Sequence, residues 1–157
     1  MATNALVTPE QYLATHFDRE PEYVRGEIVE RSLPTSLHSE AQQRLQVLLD
    51  RVGCCYPNLR MRLAEDLYRI PDIAVYEERV AEQVPDHPPL LIVEISSPDD
   101  KLHELFEKFE DYRTWGVKNI WLVEPELKKL YVYTQGLTEV ARFELADLTI
   151  TPADLFA

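Results

Sequence analysis

The stretch "PLLIVEIS", residues 89–96, limits the folds open to this chain more than any other. Its residues are apolar at successive positions, not alternate ones, which is the pattern of a strand covered on both faces. Such a strand belongs in the middle of a layered sheet. A helix follows it in "KLHELFEKFEDYRTWG", with Leu102, Leu105, Phe106, Phe109 and Tyr112 on one side and Gly116 as its terminator. A second helix lies in "SLHSEAQQRLQVLLDRVG", where Ala41, Leu45, Leu48 and Leu49 recur at three- and four-residue steps and Gly53 ends the run. Thr8 and Pro9 open a first helix over residues 9–16. "PEYVRGEIVERS" predicts strands near 22–25 and 27–32, as a bent ribbon or a tight hairpin around Gly26. "NLRMRLAE", "DIAVYEE", "KNIWLVEP", "KKLYVYTQ" and "TEVARFEL" complete the strands. The order predicts an α/β (α+β) fold, a mixed β-sheet flanked by helices, in a single domain over residues 1–157.

Net charge decides which partners are excluded. At −12, the chain lacks the lysine and arginine needed to coat nucleic acid nonspecifically. A local basic strip remains open to it, and a surplus of carboxylates suits a site completed by a divalent cation. The start "MATNALVTPEQYLATHFDRE" lacks the basic and apolar segments of a signal peptide, and no apolar run approaches the roughly 18 residues of a membrane helix. These features predict a cytoplasmic protein without a membrane partner. Cys54 and Cys55 are the only cysteines, adjacent and not spaced for zinc, and read as apolar filler at the end of the second helix.

Glu94 sits within the apolar strand, and Asp72 leads another in "YRIPDIAVY". Side chains alternate across a strand, which puts Ile92, Glu94 and Ser96 on one face, and sets Asp72 on a face with the small Ala74. A carboxylate in such a setting costs several kcal/mol unless it is paired or bound to metal. Arg60, Arg62 and Arg69 are the arginines near enough in sequence to pair with the acids. If instead the two acids share a cation on neighbouring strands, their carboxylates come within about 6 Å of each other.

Several segments, "YVRGEIVER", His38 opening a helix, "PDIAVY" and "LIVEISSP…EKFEDYRTWGVKNIWLVEPELKKLYVY", resemble the Uma-two family of endonucleases, within the PD-(D/E)XK superfamily. The resemblance spans about residues 12–133. It implies a restriction-endonuclease-like core and hydrolysis of DNA phosphodiester bonds with Mg²⁺ or Mn²⁺. It assigns Asp72, Glu94 and the Ile95 backbone carbonyl to the metal, with Glu27 as a further acid and His38 as an additional site residue.

The superfamily's lysine belongs two positions after the second acid, where this chain has Ser96. By the family pattern Lys108, on the next helix, takes its place. A helix running unbroken from Ser97, capped with Asp100, would carry Lys108 about 16 Å up its axis, and Lys101 would then be the nearer lysine. If residues 96–101 run as a loop, Lys108 reaches the acids. A module that binds nucleic acid or protein without cleaving is the alternative reading, and a glycosidase acid pair a third, disfavoured because no aromatic sugar platform accompanies the acids. Trp115, Trp121, Tyr131 and Tyr133 read as core or interface aromatics. The late strands carrying Trp121, Leu130, Tyr131 and Tyr133 predict a homodimer interface.

Overall fold

The computed structural model of the protein describes residues 5–156. Thr8 caps α1 (Pro9–Ala14) through a capping box with Gln11, and the chain turns extended at Thr15. β1 (Glu22–Val24) and β2 (Glu27–Val29) form a tight hairpin, not a bent ribbon. Arg25 and Gly26 make its turn with φ of 51° and 93°, the mirror-image geometry whose twist matches that of the strands.

Thr35 caps α2 (Ser36–Leu49), which ends before Gly53. The glycine serves close approach, not helix termination: a Cβ there would lie 2.4 Å from the Tyr76 carbonyl oxygen. The chain enters β3 (Cys54–Pro57) directly, so the two cysteines are strand residues and not filler at a helix end. Burial pushes the Cys55 thiol up to about 12, which leaves it a poor nucleophile. β4 (Met61–Ala64), β5 (Leu67–Arg69), β6 (Ile73–Tyr76) and β7 (Leu91–Ile95) follow. Then come α3 (Leu102–Trp115), β8 (Asn119–Glu124), β9 (Lys129–Tyr133) and β10 (Leu137–Val140). The chain closes with β11 (Phe143–Leu145), β12 (Leu148–Ile150) and α4 (Pro152–Leu155).

The main sheet has six strands in the order β10-β9-β8-β7-β6-β3, and only β7 and β8 run parallel in it. A parallel pair needs a crossover, and α3 supplies it. Alternation sorts the two faces. Ile73, Val75, Val93, Ile95, Trp121 and Val123 pack toward α2 and α4; Ala74, Tyr76, Ile92, Ile120 and Leu122 pack with Phe109 and Tyr112 of α3. A second sheet, β2-β1-β5-β4, lies beside the first, and Tyr12, Tyr23 and Tyr68 pack together on it. Mixed sheets flanked by helices are the architecture that the double-sided strand at 89–96 predicts.

Several segments depart from expectation, β12 and α4 beyond the last expected strand among them. β3 and β5 were not expected, because short strands carry too few residues for a period to show. "TEVARFEL" is two strands, since Phe143 turns inward to stack on Trp121 at 4.1 Å with 2° between ring planes. Trp121, Leu130 and Tyr133 are buried within their own chain and Tyr131 is half-buried, so they offer no aromatic patch to a second copy. Among the described residues no helix is long and apolar enough to cross a membrane.

Gly53→Ala drives a methyl group against the β6 backbone and is expected to destabilise the chain by roughly 1–3 kcal/mol, as overpacking does. Gly136, with no atom within 4 Å of an added Cβ, is the control. Denaturant unfolding that finds both alanine variants equal would refute this role for Gly53.

Candidate active site

β6 and β7 pair antiparallel with Ile73 opposite Val93 and Ala74 opposite Ile92, and continuing that register sets Asp72 across from Glu94. Both acids are buried, at 7% and 5% exposure. The fold gives Asp72 donors on each oxygen. The Ile95 N–H donates to Oδ2 at 2.7 Å, and Oδ1 lies 3.1 Å from His38 Nε2 and 3.8 Å from an Arg31 nitrogen. Glu94 uses one oxygen for both its bonds: Tyr112 OH donates to Oε1 at 2.8 Å, and the Lys108 ammonium lies 3.0 Å from it. Glu94 Oε2 makes no hydrogen bond among the described residues. None of the three arginines near in sequence neutralises either acid. Arg60 pairs with Glu20, Arg69 with Glu22 and Asp111, and Arg62 makes no ion pair among the described residues.

The reach of Lys108 follows from where α3 begins. Ser97 N–H donates to Asp100 Oδ2 at 2.7 Å and Asp100 N–H to the Ser97 carbonyl at 3.0 Å. The Ser97–Asp100 pair therefore closes a turn and does not cap a helix. α3 starts only at Leu102, with Lys101 extended at its N-cap, so Lys108 stands roughly 9 Å along the axis instead of 16. Its ammonium also lies 3.1 Å from Glu22 Oε2 and donates to the Ile70 carbonyl at 3.2 Å. With Glu94, these acceptors use all three ammonium hydrogens. Ser96 is not placed beside Glu94 in the cleft. β7 ends at Ile95, and the Ser96 hydroxyl turns to the Val123 carbonyl and Glu124, both at 3.4 Å.

The structure brings Asp72, Glu94, Ile95, Lys108 and His38 to one half-open cleft of about 100 Å³, with Lys101 exposed at its rim. Glu27 is not brought there; it is exposed on β2. The third buried acid is Glu22, at 4% exposure, fixed by the Ile70 N–H at 2.7 Å. Its signal was present in the sequence. "PEYV" repeats the pattern of "PDIAV", a proline and an acid before a strand. Behind Glu22, Arg69 donates twice to Asp111 Oδ2, at 3.1 and 2.7 Å.

Electrostatics separates the two central acids. Burial works against ionised Asp72, yet the His38 bond and charge, Lys108 and the Ile95 N–H together hold it below the usual range. Burial pushes Glu94 up to about 8; Lys108 opposes the rise, and Asp72 and Glu22 add to it. The Glu94 proton belongs on Oε2, because Oε1 already receives two donors. Burial opposes the charged forms of His38 and Lys108 too, but hydrogen bonding and charge from Asp72 raise His38, and Glu22, Glu94 and Asp72 raise Lys108. His38 Nδ1 is buried without a partner among the described residues.

For a divalent cation the donors here are Asp72, the second oxygen of Glu94 and the Ile95 carbonyl. Mg²⁺ typically takes one or two carboxylates and keeps several waters. The cleft has room for several waters, so the donor set fits. Among the described residues the tightest trio of ligand side chains lies elsewhere. Glu82, Asp86 and His87 have ligand atoms within 4.8 Å of one another, all exposed, and none lines the cleft.

A mixed sheet with one parallel pair bridged by a helix, and acids gathered where two central strands meet, is a nuclease-like α+β architecture. The chain belongs to the Uma2 family, whose profile, described as "Putative restriction endonuclease", matches residues 9–156. It is similar in fold to a crystal structure described as "a putative nuclease belonging to DUF820" from Anabaena variabilis, with a TM-score of 0.80 and 21% identity over 96% of this chain and 97% of that one. No curated protein matches the chain.

The shifts predict how metal-free stability depends on pH. Glu94 ordinarily titrates at 4.5 and here at about 8, so the folded chain keeps a proton that the unfolded chain releases. Its stabilising effect is full below 4.5 and is lost as pH rises toward 8. His38, raised from 6.5, acts in the same direction, whereas Asp72, lowered from 3.8, matters only in more acid solution. In EDTA, the melting temperature is expected to fall between pH 5 and pH 8 less steeply in Glu94→Gln than in the native chain. Equal slopes would show that Glu94 is not the group responsible.

Proposed function

We propose that the protein is a metal-dependent endonuclease that hydrolyses DNA phosphodiester bonds, with Mg²⁺ or Mn²⁺ held by Asp72, Glu94 and the Ile95 carbonyl. The observation that carries this reading is the Lys108 ammonium, 3.0 Å from Glu94, beside an acid pair set in cross-strand register. When bound, the cation supplies Lewis-acid polarisation of the phosphoryl oxygen and a water of lowered pKa. Asp72 is kept ionised by its donors and is ready to ligate. Glu94 would release the proton on Oε2 to solvent before its carboxylate could hold a cation. Lys108 keeps positive charge beside the site where the phosphate becomes more negative, and this acts through the field even while its hydrogens are engaged. Tyr112 and Glu22 fix the two ends of the Lys108–Glu94 pair. The cleft is far smaller than the roughly 300–1,000 Å³ of an enclosed small-molecule pocket, which favours a polymer whose phosphate enters from outside. We place the protein in the cytoplasm as a homodimer, the simplest arrangement by which one site per chain cuts both strands.

A non-catalytic binding module is favoured by two features, the saturated Lys108 ammonium and the net charge of −12. Metal binding separates the readings. Mg²⁺ or Mn²⁺ is expected to raise the melting temperature, more at pH 8.5 than at pH 6 because the cation displaces the Glu94 proton. Asp72→Asn should abolish the rise. Indifference to both metals would favour the binding module.

The catalytic test is Lys108→Ala. Cleavage is expected to drop by about 10²-fold or more, the scale for losing a charge that acts on the transition state. Folding will suffer too, in contrast to the small effect expected for a lysine on a solvated helix face. The lysine is buried, and its loss removes the ammonium that lies between Glu22 and Glu94. Activity should therefore be compared at a temperature where circular dichroism shows both chains folded. Undiminished cleavage by the folded variant would exclude the role given to Lys108.

A further inference from the structure

The nuclease reading leaves one need unmet: a cation in the cleft with donors to spare for a phosphate. Lys108 has none, since its three hydrogens go to Glu94, Glu22 and the Ile70 carbonyl. Arg69 is buried and spent on Asp111 and Glu22. His38 Nε2 is directed at Asp72, and Lys101 is an exposed rim residue. Arg31 is different. It lines the cleft with its side chain 13% exposed, and its contacts among the described residues involve one terminal nitrogen, 2.9 Å from Asn58 Oδ1 and 3.8 Å from Asp72 Oδ1. Nε and the other terminal nitrogen make no hydrogen bond there. A guanidinium has five donors in a planar fork that matches two oxygens of a phosphate.

The surroundings hold this arginine in place. Arg19 grips its loop through two carbonyls, those of Arg31 at 2.7 Å and Ser32 at 2.6 Å. Ser32 Oγ donates to Asp100 Oδ1 at 2.5 Å, which ties the loop to the turn that precedes α3. Asn58, which orients the guanidinium, has a left-handed backbone with φ of 50° and donates its N–H to the Asp72 carbonyl at 3.1 Å. Gln42 Nε2 donates to that same carbonyl at 2.8 Å. Arg31 is thus fixed from both ends, beside the acid that would carry the cation, with half its fork unused.

We propose that Arg31 binds the substrate directly, donating through Nε and its free terminal nitrogen to the non-bridging oxygens of a nucleic-acid phosphodiester. The proposal rests on the nuclease reading. The Asp72 contact, at 3.8 Å, uses the other terminal nitrogen and is kept when the substrate arrives.

The test compares the native chain with Arg31→Gln and Arg31→Lys on a fluorescent DNA duplex. Cleavage is measured with Mn²⁺, and equilibrium binding is followed by anisotropy across a salt series. Glutamine is expected to raise KM and Kd about 10- to 100-fold, the scale of a lost charge-assisted hydrogen bond. It should lower the slope of log Kd against log salt by about one, while kcat moves less. Lysine should restore the salt slope but not the full affinity, because it keeps the charge and loses the fork. If Arg31 serves only to balance Asp72, glutamine will shift the melting temperature and leave KM and the salt slope unchanged, and the proposal is overturned. Should glutamine fail to fold, a lysine variant with native affinity overturns it as well. A native chain that neither binds nor cuts the duplex brings down the nuclease reading itself, a result distinct from native cleavage that Arg31→Gln leaves intact.

Discussion

Asp72 and Glu94, two buried carboxyl groups, face each other across an antiparallel pair, and this placement governs how the rest of the site is built. Antiparallel register admits no compromise, because a slip of one residue would send one acid into the apolar layer beneath α2. Two carboxylates that cannot separate must be compensated where they stand. The chain does this unequally. Asp72 receives a backbone N–H, a histidine and a distant arginine, while Glu94 receives a lysine and a tyrosine on a single oxygen. The inequality keeps one acid ionised and lets the other hold a proton. Compensation extends outward. Lys108 needs Glu22, Glu22 needs Arg69, and Arg69 needs Asp111, which Arg25 reaches in turn from the β1–β2 turn at 2.5 Å. A hairpin far from the acids in sequence is thereby made part of their support.

Much of this was legible in the sequence, for identifiable reasons. Asp72 and Glu94 stand out because a charge inside an apolar run contradicts its surroundings, and such contradictions can be seen locally. The central strand and the two long helices are legible because each holds its period over enough residues. Lys108 came from family resemblance and not from periodicity; the structure adds the reason it can reach, the turn at Ser97–Asp100 that delays the helix. Glu27 came from the family resemblance, and Glu22, four residues before Gly26, was not considered. Only the pairing of β1 with β5 decides which of them turns toward Ile70 and Lys108. Arg31, Tyr112 and the Arg69–Asp111 pair were not legible as site residues, since their partners lie between 18 and 42 residues away. Short strands such as β3 and β5 fall below the length at which alternation is informative.

Moving the lysine from strand to helix changes what the strand end can do. At the usual superfamily position, two residues after Glu94, a side chain on a continuing strand would share the acid's face. Here β7 stops at Ile95, and Ser96 turns toward β8 to bond the Val123 carbonyl through its N–H at 2.9 Å. A lysine at 96 would therefore meet Glu124 instead of the cleft. The early stop also leaves Ile95 as the last strand residue, lining the cleft with its N–H bonded to Asp72. The same six-residue interval that lets Lys108 reach Glu94 brings Asp100 against Ser32, and through Ser32 fixes the loop that carries Arg31. One change in chain path, a strand that ends early and a helix that starts late, thus positions the lysine behind the acids and the arginine in front of them. Acids outnumber bases along the cleft, so Arg31 is set among carboxylates and not in a basic patch.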